Sequence, residues 1–251
     1  MKTIIPSEVS SMELQTILQT AIAPRPIALA STIDSEGNIN LSPFSFFNLF
    51  STAPPVVIFS PSRRVRDNTT KHTLENVLEV PEVVIGIVNF PIVQQISLAS
   101  TEYGKAENEF LKSGLTMKDA DLVKPKLIEE CPVNLECKVL EVKHLGTEGG
   151  AGNLVICEVH KIHIQEEYLN EDGKLDQKKL DLVARLGGNW YSRNNEANFF
   201  EVPKPLATKG IGFDQLPAAV RYSKVFTGND LGMLANIEKL PCGEFLSLIH
   251  I

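Results

Sequence analysis

The sequence is poor in the residues that mark the commonest special architectures. Cysteine occurs four times in 251 residues, at 131, 137, 157 and 242, and no two form a CxxC pair. That spacing argues against a disulfide framework or a thiolate zinc site, and predicts reduced, mostly buried thiols. No run of about 18 apolar residues is present to span a membrane. The opening "MKTIIPSEVSSMELQ" lacks the apolar core and cleavage pattern of a secretory signal, so the expected compartment is the cytoplasm. Positive charge is not in excess. The net charge of −7 argues against nucleic acid or an anionic membrane as the main partner.

Familiar catalytic signatures are missing too. There is no GxxxxGK[ST] loop, no GxSxG elbow and no HExxH pair, and "GIGFDQ" at 210–215 lacks the last glycine of a dinucleotide fingerprint and follows no strand. No metal site is predicted. His160 and His163 stand three apart on one predicted strand, where a period of two turns them to opposite faces.

What is present reads as a mainly β chain with 43% hydrophobic residues, ordinary for a globular protein. "RPIALASTID" and "SEGNINLS" make a hairpin near 26–42, turned at Gly-Asn. "PPVVIFS" and "EVVIGIVNF" (82–90) are short, continuously apolar strands of the kind buried on both faces. A short helix is predicted to start between Thr70 and Thr73, and a second, "IVQQISLAST", follows Pro91. Residues 101–131 read as loop with helical pieces around "AENEFLKSG". Two long strands, "PVNLECKVLEVKHL" and "NLVICEVHKIHI", are joined by the glycine-rich "GTEGGAG". Long antiparallel strands with helices only as inserts point to a Greek-key β-barrel in residues 1–199. From 200 to 251 proline and glycine rise and periodicity fades, which predicts an extended C-terminal arm, packed on the barrel or on a second subunit, without a core of its own.

Polar residues gather at predicted strand ends. "NLSPFSFF" (40–47) breaks a good strand pattern with two serines and a proline among apolar side chains, three of its last four residues being aromatic. "KHTLEN" (71–76) places Lys71 beside a helix start, whose free N–H groups and dipole favour anions. With Arg63, Arg64, Arg66 and His72 it concentrates basic residues in an otherwise acidic chain. An anion pocket and a solvated helix start capped by threonine both fit that pattern. "LVARLGGNWYSR" (182–193) sets paired glycines beside Trp190, the single tryptophan, and Tyr191. Core packing explains it nearly as well as the approach of a flat ring.

Taken in order, "RPIALASTIDSEGNINLSPFSFFNLFSTAPPVVIFSPS", "KHTLENV", "PVNLECKV", "LVICEVHKIHI" and "ARLGGNWYSR" resemble the flavin reductase-like FMN-binding split-barrel family, which includes flavoredoxin. The likeness covers about residues 20–195. It implies a six-stranded split barrel that forms a homodimer and holds FMN noncovalently near the dimer interface. Carried over by position, it implies that Ser45, Phe46 and Phe47 lie along the flavin ring and that Ser60 contacts it. Lys71 and Thr73 would hold the phosphate, and Arg64 in the longer basic insert would add to it. His72 stands where the family has Asp. Arg185 and Tyr191 match an Arg-x-x-Gly-x-x-Tyr pattern near the active face. No catalytic side chain is expected, because the flavin carries the chemistry. The implied activity is hydride transfer from NAD(P)H to flavin, with electrons passed to a redox acceptor. An FMN-binding electron carrier that NAD(P)H does not reduce stays open as the alternative, and a pyridoxamine-phosphate-oxidase-like activity as a third.

Overall fold

The hairpin read at 26–42 is formed by β1 (Ala28–Ile33) and β2 (Ile39–Phe44), antiparallel from Ala28 opposite Phe44 to Ile33 opposite Ile39. Its turn is organised by the buried Asp34 carboxylate, which accepts from the N–H groups of Glu36 (3.0 Å) and Asn38 (2.8 Å). Gly37 takes φ 93° there, the left-handed region that a side chain disfavours. The computed structural model describes residues 1–105, 107–206 and 208–240.

Further strands follow in chain order. They are β3 (Phe47–Thr52), β4 (Pro55–Phe59), β5 (Glu82–Ile87), the two-residue β6 (Met117–Lys118) and β7 (Leu127–Ile128), β8 (Val133–His144), β9 (Asn153–Ile164), β10 (Leu182–Arg185) and β11 (Tyr191–Asn194). Seven of them make one antiparallel sheet in the order β2-β1-β5-β8-β9-β4-β3. The expected count of six is corrected by β3. The residues after the corner, "FNLFST", return along β4 as a strand of their own, with a register shift between Leu49 and Ser51. Pro43 sits in β2 at the edge of the sheet, the position where a strand tolerates proline. In strand order β2 is first and β4 sixth, yet the rings of Phe44 and Phe59 meet with centroids 5.4 Å apart. The sheet is therefore curled on itself.

Period-two alternation sorts its side chains into two cores. Ala28, Ala30, Val83, Ile85, Cys137, Val155, Cys157, Val57 and Phe59 pack on one face, and α2 (His72–Glu79) adds Leu74 and Val77. Leu29, Leu41, Val84 and Ile128 pack on the other, against Ile96 of α3 (Val93–Ala99) and Phe110 of α4 (Glu109–Ser113). Gly86 of β5 has no room for a side chain, since a Cβ there would stand 2.5 Å from Cys131 Sγ. Cys131, Cys137 and Cys157 are buried free thiols, and burial raises all three pKa values, that of Cys137 to about 12. Cys242 lies outside the described residues. No helix among the described residues is long and apolar enough to cross a membrane.

The chain divides into two units, Met1–Phe199 and Phe200–Ile251. The second corrects the expectation of an extended arm without a core. It contains α6 (Ala218–Arg221) and α7 (Gly228–Ala235), preceded in the first unit by α5 (Gln177–Leu180), and it buries Leu216, Leu231 and Ala235 against Ile211 and Val220. The cause is local. Thr227 and Asp230 form a capping box that starts α7, and Leu231 and Ala235, four apart, then share one helix face.

Candidate functional site

The corner "NLSPFSFF" is where the chain leaves β2 and turns into β3. The backbone carbonyl of Phe46 accepts from Ser60 N–H (2.8 Å), tying the corner to the end of β4. Ser60 is itself fixed from the far side, its hydroxyl accepting from Asn153 N–H (3.1 Å). These ties bring the residues before β3 and after β4 to one place at the seam of the curled sheet.

A cleft of about 440 Å³ opens there. Ser45, Phe46, Ser60, Lys71, Arg185 and Tyr191 all line it. A narrow recess of about 20 Å³, roughly the room of one water or one ligand oxygen, adjoins it, lined by Arg64, His72, Thr73 and again Lys71. The structure thus gathers nine of the ten residues singled out in the sequence around two connected spaces. Phe47 is the exception, because its half-buried side chain packs against the core face that holds Phe44 and Phe59.

Lys71 belongs to both spaces. It is the N-cap residue of α2, and no side chain caps that helix, so threonine is not the cap. The N–H groups of His72 and Thr73 donate to no backbone acceptor among the described residues. The Lys71 ammonium is half-buried, 5.9 Å from the Phe44 ring centroid, and among the described residues no carboxylate lies within ion-pair distance of it. Burial, then the neighbouring Arg64, holds its pKa below the usual lysine range. A partly desolvated cation beside free N–H groups is a site for an anion.

The rest of the basic insert is largely committed. Arg63 donates to Asn68 Oδ1 (2.6 Å), and Arg66 pairs with Asp67 (3.0 Å) and Glu102 (2.9 Å). Arg64 reaches the recess, where it pairs with Glu102 (3.0 Å) and donates to the Thr70 carbonyl. On the opposite wall Arg185 lies over the Tyr191 ring, Cζ 4.5 Å from the centroid, and donates to Gly188 O (2.7 Å).

Several lining residues were not singled out in the sequence. Gln15 and Gln19 reach the cleft from α1 (Ser11–Ala21). The signal for α1 was present as "SSME", since Ser10 caps the helix by accepting from Glu13 N–H (3.2 Å). The buried Arg25 donates to the carbonyls of Gln19 and Ile22 at the end of α1 and to Leu186 O (2.9 Å), holding helix and loop together. Asn40 and Glu109 line the recess and, lying 69 positions apart, carry no local pattern. The two histidines have different carboxylate neighbours, and the register of β8 on β9 shifts at His160, which interrupts the expected alternation between them. His163 Nε2 meets Glu136 Oε1 at 2.5 Å, while His160 lies 3.4 Å from Glu158. Glu136 and His163 also come near Asp121, but Asp121 is held by Lys161 (2.5 Å) and Glu136 accepts the N–H groups of Asp121 and Leu122.

The family described as flavin reductase like domain matches residues 20–181. A relative from Halalkalibacterium halodurans is 33% identical over 206 residues, 81% of this chain and 97% of the relative. The structure resembles that of nitrilotriacetate monooxygenase component B from Bacillus cereus, with 26% identity and a TM-score of 0.74 over 80% of this chain and 98% of that one. It shares its fold with flavoredoxin of Desulfovibrio vulgaris, at 21% identity and a TM-score of 0.63 over 82% and 98% of the two chains.

Proposed function

We propose, for a chain that belongs to the flavin reductase like domain family, that it binds FMN and transfers hydride from NAD(P)H to flavin, with electrons then passed to a separate acceptor. The observation that carries this reading is Lys71, a half-buried cation with no carboxylate partner among the described residues, where the ring-sized cleft meets the start of α2. The donor set fits FMN. Lys71, the N–H groups of His72 and Thr73, and Arg64 suit a phosphate, while Phe46, Tyr191 and the Ser45 and Ser60 hydroxyls suit a flat heterocycle with polar edges.

A bound flavin supplies the hydride chemistry. The protein's part is to hold and orient. Lys71 neutralises the phosphate, the Phe46–Ser60 tie fixes the corner, and Arg185 with Tyr191 forms the facing wall. Keeping water from one face of the ring falls to Gln15 and Gln19 of α1, anchored through Arg25. Two copies of the chain are expected to associate. Leu49 and Phe50, 56% and 64% exposed on the edge strand β3, are apolar surface that association would cover.

The test is the visible absorption of the purified protein, then anaerobic titration with NADH and NADPH. Bound oxidised flavin that bleaches with either nucleotide is the expected result, and absence of flavin binding overturns the proposal. Flavin that binds but resists both nucleotides would transfer the reading to an electron carrier, which the fold shared with flavoredoxin favours.

A further inference from the structure

Below the recess lies a carboxyl group for which flavin chemistry has no use. Glu109, the first residue of α4, is 4% exposed, and its Oε2 accepts from Leu41 N–H (3.0 Å). Its other oxygen faces the Asn40 carboxamide. Asn40 in turn touches the hydroxyl of Thr73, which is buried on α2 and lines the recess. The chain of contacts runs from Glu109 through Asn40 to Thr73.

The carboxamide can sit in this chain in two ways, and each demands a different proton count. With its carbonyl toward Thr73 it accepts the Thr73 hydroxyl (2.8 Å) and the Leu41 N–H (3.3 Å), and its NH₂ donates to Glu109 Oε1 (3.3 Å). That arrangement suits an ionised Glu109 and uses up the Thr73 proton. With its NH₂ toward Thr73 it donates to the hydroxyl (2.8 Å), leaving the Thr73 proton free for an acceptor in the recess. The amide oxygen then faces Glu109 Oε1, two acceptors opposed unless Glu109 carries a proton and donates it. A phosphate oxygen in the recess needs the second arrangement. It also repels an ionised carboxylate beneath it.

We infer that Glu109 is a positioning residue for the anion end of the cleft, acting through Asn40 on the Thr73 hydroxyl, and that phosphate binding is coupled to proton uptake at Glu109. The inference rests on the proposed binding of FMN. Burial holds the Glu109 carboxyl above its ordinary range, Leu41 N–H opposes that, and nearby Glu107 adds to it. The other charged or titratable groups facing the recess are Lys71 and His72 from α2, Arg64 from the basic insert, and Glu102 and Tyr103 from the segment after α3. The FMN phosphate itself changes charge across this span, with a second pKa of about 6, so the reading must be differential.

Glu109→Gln supplies that difference, because a glutamine can donate to Asn40 Oδ1 and accept from Leu41 N–H as the protonated acid does. FMN affinity of wild type and E109Q is measured by flavin fluorescence from about pH 5.5 to about pH 8.5, with riboflavin, which lacks the phosphate, as control. The expected affinity ratio of E109Q to wild type for FMN rises from near unity at the acid end to roughly tenfold at the alkaline end. For riboflavin it stays flat, and in a Thr73→Val background it largely disappears. A flat ratio for FMN, or a rise that survives intact in T73V, overturns the inference. Should E109Q not fold, T73V and Thr73→Ser with native Glu109 read the same relay. T73V should then lose affinity mainly at acid pH while T73S follows wild type, and equal loss at both ends overturns it. Failure of wild type to bind FMN at all is a separate outcome, which removes the proposed function and this inference with it.

Discussion

The Glu102 carboxylate lies 3.0 Å from Nε of Arg64, so one cation at the anion recess is matched by a carboxylate of the chain, while its neighbour Lys71 is paired with none among the described residues. Arg66 holds the same carboxylate from outside at 2.9 Å. An incoming phosphate competes with Glu102 for Arg64. Glu102→Gln is therefore expected to tighten FMN binding by about 0.5–1 kcal/mol, the scale of a partly exposed ion pair, and the gain should shrink with added salt. Fluorescence titration at low and high salt checks it. Weaker binding would mean that Glu102 instead holds Arg64 in its working position.

Lys71→Ala should weaken FMN binding by about 1.5–3 kcal/mol, the range for a hydrogen bond to a charged group, with little effect on riboflavin. Unchanged FMN affinity would remove Lys71 from the phosphate site.

The pH dependence of Lys71 has a definite sign. Its folded pKa lies below the ordinary 10.5, chiefly through burial. Between the two values the unfolded chain binds more protons, so this group makes stability rise with pH across that window. A bound anion restores the charge. FMN affinity should accordingly fall as pH climbs through the lowered value, and K71A should lack that fall in alkaline titrations.

Glu136 gives the same sign in a window at lower pH. Burial pushes its carboxyl up, but His163 and the N–H groups of Asp121 and Leu122 outweigh burial and leave it below the usual range. It contributes stability above its unfolded pKa, and that contribution is lost as pH falls through the folded value. Glu136→Ala leaves His163 and two N–H groups without their acceptor and should cost about 3 kcal/mol. Urea denaturation near neutral pH measures this, and a loss under about 1 kcal/mol would show that water replaces the carboxylate readily.

Gly86→Ala should destabilise by about 1–3 kcal/mol, the usual cost of forcing extra volume into a packed core, because the new Cβ meets Cys131 Sγ at 2.5 Å. Pairing it with Cys131→Ala should recover part of the loss in thermal melts.

Legibility in the sequence followed how local the cause was. The β1–β2 hairpin, α2, α3 and the β8–β9 pair were readable because turn chemistry and periodicity write them into short windows. The ordered motifs brought nine of ten candidate residues to one region, although each alone was ambiguous. β3 was missed because "FNLFST" follows the corner with no turn signal between them. The C-terminal core was missed because a short capped helix was masked by surrounding proline and glycine. Asn40 and Glu109 meet only through tertiary packing, and the direction of the Phe47 side chain was settled by the register of β3 on β4.

The meeting of Phe44 and Phe59 has a bearing on how the protein comes apart. These residues set β2, one margin of the curled sheet, against β4, next to the other margin, and the cleft lies beside that meeting, lined by Ser45, Phe46 and Ser60. A ligand seated there acts as a clasp across the opening line. At a hundredfold excess over its Kd it should add about 2.7 kcal/mol to global stability. Amide hydrogen exchange should slow first along β2 and β4, so that the loaded protein is lost to proteolysis more slowly than the bare one.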